Sequence, residues 1–460
     1  MPTTELSVET TIHVRKRRCC EMTTLTFPLS RIEGHARVVI EARGGIVQSA
    51  KFQATEFRGF EYLVRGAPAE QMPVLVPRIC GVCSTAHHVA SVKALEDAYG
   101  VTPPPLALTI RELLMLGQLL QNQATSLFIF TMPDRLGVDS LFDVDTTELD
   151  GDALAGVAAR ALQVRQAGTH LITLAGGQFI HPVKAVVGGV TGGIGAAAAS
   201  AMRAELAEAL PVACALFDTY WDYSVALSAR LGTWGDDAPA CYLTAVCGER
   251  PNYYGDFIRL MGCESGDVCA QFPAREYRAF LTVEEAEYSY AAQTSYQGHV
   301  LRANSLARAN LMDSLGTPCA NEYLQRFHRE FGQPAHAIFL FDLARGIELV
   351  YAIERAMEIL ADPLEGAETR IPYTPRDGEG YGLVEAPRGP LIHHYRIENG
   401  LIAQAEFVIP TVHNILAIER ALRVAAERYI TPEQVNLELE RAVGRVVRAF
   451  DPCIACATQH

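Results

Sequence analysis

The chain has 460 residues, with 39 Lys and Arg against 53 Asp and Glu, a formal net charge of −14. That acidic balance, without a strong basic patch, excludes nucleic acid as the main partner. Hydrophobic residues at 49% and charged residues at 20% exclude a disordered polymer and fit one large core or two to three domains.

From the N-terminus, residues 1–21 show no apolar periodicity and are expected to form a loosely ordered segment, with residues 22–460 as a single domain. The run "RKRR" at Arg15–Arg18 has no apolar stretch behind it, so it does not spell a secretory or twin-arginine signal. "ARVVIEA" and "GIVQSAKFQ", separated by Gly44-Gly45, predict an antiparallel hairpin. "STAHHVASVKALEDAYG" predicts a helix opening at Ser84 and stopped by Gly100. "PLALTIRELLMLGQLLQNQATSLFIF" predicts a long helix buried on most sides. Further helices are expected near 152–174, 195–231, 299–326 and 337–361. The last, "TPEQVNLELERAVGRVVRAF", is expected to start with Thr431 as cap and Pro432 in its first turn. Small sheets are expected near the N-terminus and around 370–410, which makes the fold mainly α with small antiparallel β-sheets (α+β). The most apolar long stretch, 183–201, is Gly, Ala and Val with Lys184 inside, too weak for a transmembrane segment. A cytoplasmic location is the expectation.

Twelve cysteines are present. Eight are scattered: Cys19, Cys20, Cys214, Cys241, Cys247, Cys263, Cys269 and Cys319. In a chain without an export signal, buried reduced thiols are the default for these. The other four form two C-x-x-C pairs, "RICGVC" at 78–83 and "DPCIAC" at 451–456. Four thiolates suit a structural zinc, but small zinc modules place their pairs tens of residues apart. Here Cys83 and Cys453 stand 370 positions apart. Neither pair sits in a βαβ pattern, which disfavours a thioredoxin-like role. Soft thiolates suit nickel and iron equally.

"RICGVC" and "DPCIAC" resemble the two signatures of nickel–iron hydrogenase large subunits. "RIEGH" (31–35), "FRGFE" (57–61), "IHP" (180–182), "EAPRG" (385–389) and "VIPTVHN" (408–414) follow that family's order. The resemblance runs from about Met22 onward and is strongest to the soluble group 3 branch, whose members couple to NAD(P), deazaflavin or heterodisulfide partners. It implies the large-subunit fold with a central long-helix bundle. It implies reversible, heterolytic H2 cleavage at a Ni-Fe(CN)2(CO) centre. Cys80, Cys83, Cys453 and Cys456 would bind nickel, with Cys83 and Cys456 bridging to iron. Glu33 would pass protons, Arg388 would overhang the metals, and Asp451 would pair with that arginine. Pro387 and Thr411 would face the iron's cyanides. Magnesium or another divalent cation would sit on Glu61 and the carbonyl of Phe407. His35, His87, His88, His181, His393 and His394 would orient neighbours or move protons.

Two departures stand out. The family's D-P-C-x-x-C-x-x-H places Gln459 at the histidine position and His460 one residue later, so either could serve magnesium. A carboxylate usual after the first long helix is Asn122, which alters how Arg388 is balanced.

The chain lacks clustered cysteines for an iron–sulfur cluster of its own. An iron–sulfur small subunit is therefore expected, with further electron-transfer subunits, a maturation protease and nickel chaperones. The alternative is an H2-sensing regulatory subunit with low turnover. A metal-free structural relative, like the related respiratory complex subunit, is disfavoured because all four cysteines are retained.

Overall fold

A computed structural model describes residues 22–146, 154, 156–235, 239–247, 252–262, 266–431, 435–436 and 438–459. The expectation for residues 1–21 lies outside the described residues.

The predicted hairpin forms within a three-stranded antiparallel sheet, β1 (Met22–Pro28), β2 (Ala36–Arg43) and β3 (Ile46–Ala54). Along β2, Ala36, Val38, Ile40 and Ala42 are buried while Arg37 and Arg43 are exposed, the two-residue period of a half-buried strand. Nine longer helices follow among the described residues: α1 (Ser84–Tyr99), α2 (Pro105–Ala124), α3 (Val157–Gly176), α4 (Ala196–Leu231), α5 (Ser305–Leu311), α6 (Pro318–Phe331), α7 (Leu340–Ile359), α8 (Pro410–Tyr429) and α9 (Glu438–Phe450). Helices α2 and α7 are buried nearly all round, so they form the middle of the bundle, with α3, α4 and α6 packed against them. This is the expected α+β architecture.

Helix α1 opens at Ser84 and stops at Gly100 as expected, and the Ser84 hydroxyl donates to the Gly81 carbonyl at 3.1 Å. Other expectations need correction. The 299–326 region is not one helix. His299–Arg302 is a strand, and α5 and α6 are separated by the bend at 312–317. Helix α9 starts at Glu438, not near Thr431, which lies inside an isolated bridge between Ile430 and Val435. Asn436 accepts the Glu438 N–H at 2.8 Å, as a cap residue does. Pro432 lies outside the described residues.

A six-stranded sheet between 241 and 302 had no sequence forecast. Its strands are β4 (Cys241–Val246), β5 (Phe257–Met261), β6 (Val268–Pro273), β7 (Thr282–Glu284), β8 (Gln293–Tyr296) and β9 (His299–Arg302), in the order β6-β5-β4-β9-β8-β7. Every residue of β4 is buried, so it shows no alternation, and the remaining strands are short.

The last sheet, β10 (Gly378–Ala386), β11 (Gly389–Glu398) and β12 (Leu401–Val408), is an antiparallel meander laid against α1. A Cβ at Gly382 would lie 1.9 Å from the Ala90 carbonyl oxygen. Only glycine lets strand and helix approach this closely. The scattered cysteines also differ from expectation. Among those described, only Cys241 is buried, Cys214, Cys247 and Cys319 are half-buried, and Cys269 is exposed, all of them free thiols. Cys19, Cys20 and Cys263 lie outside the described residues.

Candidate metal centre

The two cysteine pairs, far apart in the chain, meet at one point. Cys80 ends the turn Val76–Ile79 in extended geometry, and Cys83 occupies the position before α1. Helix α9 leads through Asp451 to Cys453, and a single turn, Ile454–Ala457, carries Cys456. Phe450 anchors this approach, with its ring 4.8 Å from that of Phe341. Burying such a side chain contributes about 1.5–3 kcal/mol.

The Cys453 sulfur lies 3.3 Å from Cys80, 3.6 Å from Cys83 and 3.0 Å from Cys456. All four sulfurs fall within 4.8 Å of one another and are buried. A disulfide would need about 2.05 Å. Sulfurs that share one metal at about 2.3 Å sit some 3.5–4 Å apart, so the cluster fits a common metal. Hydrogen bonds from the thiols of Cys453, Cys456 and Cys80 hold the Cys83 thiol well below its ordinary value, and the Arg388 charge adds to this. Burial pushes Cys453 and Cys456 well up. Without cations, four thiolates cannot all ionise here; a soft, positively charged occupant removes that obstacle.

The surrounding groups are tightly placed. The Glu33 carboxylate is 3.0 Å from the Cys453 sulfur and accepts the Ala455 N–H at 3.1 Å. The Glu33 carbonyl accepts the Ile454 N–H at 3.1 Å. Next to it, Gly34 has φ +79°, and a Cβ there would lie 2.8 Å from the Ile454 Cβ. The RIEG turn thus needs glycine both for its backbone and for its contact with the C-terminal segment.

Arg388 donates to the Cys83 sulfur at 3.4 Å, pairs with the Asp451 carboxylate at 3.0 Å and donates from Nε to the Asp451 carbonyl. Asn122 donates to the same carboxylate at 3.3 Å. Asn122 is a neutral donor, and among the described residues Asp451 is the carboxylate paired with Arg388. Thr411 Oγ1 accepts the Cys453 N–H at 3.0 Å.

Glu61, only 8% exposed, accepts the Phe407 N–H at 2.7 Å and donates its own N–H to the Gln459 carbonyl at 3.4 Å. Gln459 Oε1 accepts the Phe60 N–H at 3.2 Å, and its amide nitrogen donates to the Ala455 carbonyl. Glu61, Phe407 and Gln459 are therefore neighbours. His460 lies outside the described residues.

The histidines separate by position. His87 Nε2 is 3.4 Å from the Cys456 sulfur, and its Nδ1 meets His393 Nε2 at 2.9 Å. His393 Nδ1 contacts the Tyr395 hydroxyl at 2.7 Å, which donates to Ser91 at 3.0 Å. Burial lowers His87 to about 4 and His393 well below its usual value, so both rings stay neutral. His88 and His181 bond the Pro73 and Pro77 carbonyls at 2.8 and 3.1 Å, bracing the turn before Cys80. His394 stacks on Tyr381 and His35 is exposed.

Sequence reasoning missed a second layer. Arg308 pairs with Glu348 and Glu385 and donates to the Pro387 carbonyl at 2.7 Å, so it fixes the turn that presents Arg388. Tyr253 and Gln123 donate to Glu348 at 3.0 and 2.6 Å. Burial raises Glu385 to about 7, opposed by Arg308. Glu348, set inside the apolar run "GIELVYAI", was the available signal.

A buried tetrathiolate assembled from distant segments of a large α+β chain is the centre of a metalloprotein. The chain belongs to the nickel-dependent hydrogenase family: the model described as nickel-dependent hydrogenase matches residues 58–151 and 266–459. One described as HoxL-like matches residues 26–57. The chain is 35% identical over 418 residues to a vhu subunit of the F420-non-reducing hydrogenase of Methanococcus voltae, covering 87% of this chain and 97% of that one. It is 31% identical over 464 residues to the NAD-reducing hydrogenase HoxS subunit beta of Cupriavidus necator, covering 94% and 93%. A crystal structure of an NAD+-reducing [NiFe]-hydrogenase in the H2-reduced state superposes with TM-score 0.86 and 29% identity, covering 96% of this chain and all of that one. The protein is thus the catalytic subunit of a hydrogenase of the group 3 type, and its reaction is H2 cleavage to protons and electrons.

Proposed function

We propose that Cys80, Cys83, Cys453 and Cys456 hold the nickel, with Cys83 and Cys456 shared by an iron that carries carbonyl and cyanide ligands. The observation that carries this is the set of four buried sulfurs within 4.8 Å with the Glu33 carboxylate 3.0 Å from one of them. Bound there, the metal pair supplies the Lewis acidity that polarises H2 and the redox capacity that takes its electrons. The protein contributes the rest. Glu33 takes the proton at the Cys453 sulfur and passes it outward. Arg388, held by Asp451, keeps a fixed positive charge over the Cys83 side. The Thr411 hydroxyl hydrogen has no acceptor among the described residues, which suits a cyanide nitrogen, and the backbone at Pro387 faces the same ligands. Glu61, the Phe407 carbonyl and either Gln459 or His460 bind magnesium or a similar cation.

The electrons leave through an iron–sulfur small subunit, since no other cysteine cluster occurs among the described residues, and further electron-transfer subunits follow it. The relatives are themselves named as subunits of larger hydrogenases. Nickel chaperones deliver the metal, and a maturation protease completes the site. Residues 22–460 act as one domain. No described helix is long and apolar enough to cross a membrane, and the assembly works in the cytoplasm.

One experiment tests the assignment: purify the matured complex and measure nickel, iron and magnesium together with the infrared bands of the iron's diatomic ligands. About one nickel and one active-site iron per chain with those bands is expected. Matured, H2-active protein without nickel sinks the reading.

A further inference from the structure

A second buried charge cluster forms where the loop after β1, the segment Met132–Leu136 and helix α9 meet. Arg31 and Arg448 both donate to Asp134, at 2.7 Å from Arg31 and at 2.7 and 2.9 Å from Arg448. Arg135 and Arg345 share Asp342. Arg445, one turn before Arg448, is 5% exposed, and its Nε and Nη2 have no hydrogen-bond partner among the described residues. Five arginines therefore draw on two carboxylates. Burial pulls Arg445 below its ordinary value, with Asp134 the main opposing charge.

This cluster opens on a cavity of about 1060 Å³ lined by six arginines and four carboxylates. Of the four carboxylates, Asp134 is taken by Arg31 and Arg448, Glu438 is taken by Arg441 at 3.0 Å, Asp139 is exposed at the rim and Glu440 is half-buried. In a chain with a net charge of −14, a lining of six arginines against four carboxylates is a local excess of positive charge. A buried guanidinium without a partner is costly, and its planar fork matches one chemistry above others, the two-oxygen edge of a carboxylate or phosphate.

We propose that this cavity binds an oxyanion of the carboxylate or phosphate class, with Arg445 as its principal ligand and Arg31 and Arg448 beside it. The anion comes either from a free small molecule or from an acidic side chain of a bound protein partner. Arg448 also holds the Ser30 carbonyl at 3.2 Å, and Arg31 stands two residues before Glu33. Filling the cavity therefore steadies the loop that carries Glu33.

The test titrates inorganic phosphate into the full chain at constant ionic strength, read by calorimetry and by thermal midpoint. Saturable binding is expected in the wild type and in the exposed control Arg423→Met. It weakens at least about tenfold in Arg445→Met, as loss of a charge-assisted bond requires. Should Arg445→Met fail to fold, Arg445→Lys keeps the charge, loses the fork and must also weaken binding. Absence of saturable binding, or affinity unchanged in these variants, overturns the proposal. Repeating the titration on the assembled complex separates the sources. Retained binding indicates a free anion. Phosphate exclusion together with a looser complex in Arg445→Met indicates a partner's carboxylate.

Discussion

Two buried charge networks lie within this one molecule, and they are built on opposite terms. Around Arg308 one guanidinium meets two carboxylates, a hydroxyl and two backbone carbonyls, and each of its nitrogens has an acceptor. Around Arg445 the arginines outnumber the carboxylates, and donor atoms remain unspent. The first network is complete and holds the Arg388 turn still. The second is incomplete among the described residues, as the proposed anion site requires. Buried charge by itself says little about purpose; whether its hydrogen bonds close says much more.

The strongest way to break the comparison is at the metal centre that the complete network supports. Glu33→Gln keeps the shape and removes the proton acceptor beside Cys453. Turnover with an artificial electron acceptor is expected to fall about 10²–10⁴-fold, the usual span for losing a general base, while nickel content stays at the wild-type level. Unchanged turnover would remove Glu33 from the proton path. Arg308→Met should follow in size, because it strands Glu348 and Glu385 without their cation. A loss of about 3–5 kcal/mol is expected in chemical denaturation. The contrasting substitution, Arg445→Met, removes a cation whose Nε and Nη2 have no partner among the described residues and should leave phosphate-free stability unchanged or raised. If both changes cost the same, the distinction between the networks fails.

The smallest effect concerns pH. Burial lowers His88 from 6.5 to about 4, helped by the Arg111 charge. The unfolded chain binds a proton below pH 6.5 that the folded chain refuses, so this contribution to stability is present above 6.5 and is lost as pH falls towards 4. His88→Gln should flatten that acid slope by at most about 3 kcal/mol, measured by denaturation midpoints between pH 7 and 4. An unchanged slope would show that another group carries it.

The sequence made the cysteine pairs, the RIEGH carboxylate and the long helices legible because each is local or has a fixed spacing. Gly34, Arg388 and Asp451 came with the family motifs. The six-stranded sheet stayed hidden because β4 is buried on both faces and its neighbours are three to six residues long. The start of α9 was misplaced because Thr431-Pro432 imitates a cap that Asn436 provides. The arginine cavity was invisible because residues 31, 134, 230, 428 and 445 come from distant segments. Only tertiary packing reveals that two Arg445 nitrogens have no partner among the described residues while Arg448 has one.

The hydrogen bonds that lace residues 454 and 458 to Glu33, Arg58 and Gly59 have a kinetic meaning. With the C-terminal segment undocked, Cys80 and Cys83 form a two-sulfur hook. Docking brings two more sulfurs at an effective concentration that free thiols in solution do not reach. Metal capture and chain closure are then one cooperative event. A metal held by all four sulfurs would then leave only when the whole segment peels away, so its retention would be governed by the rate of that opening rather than by the affinity of any single sulfur.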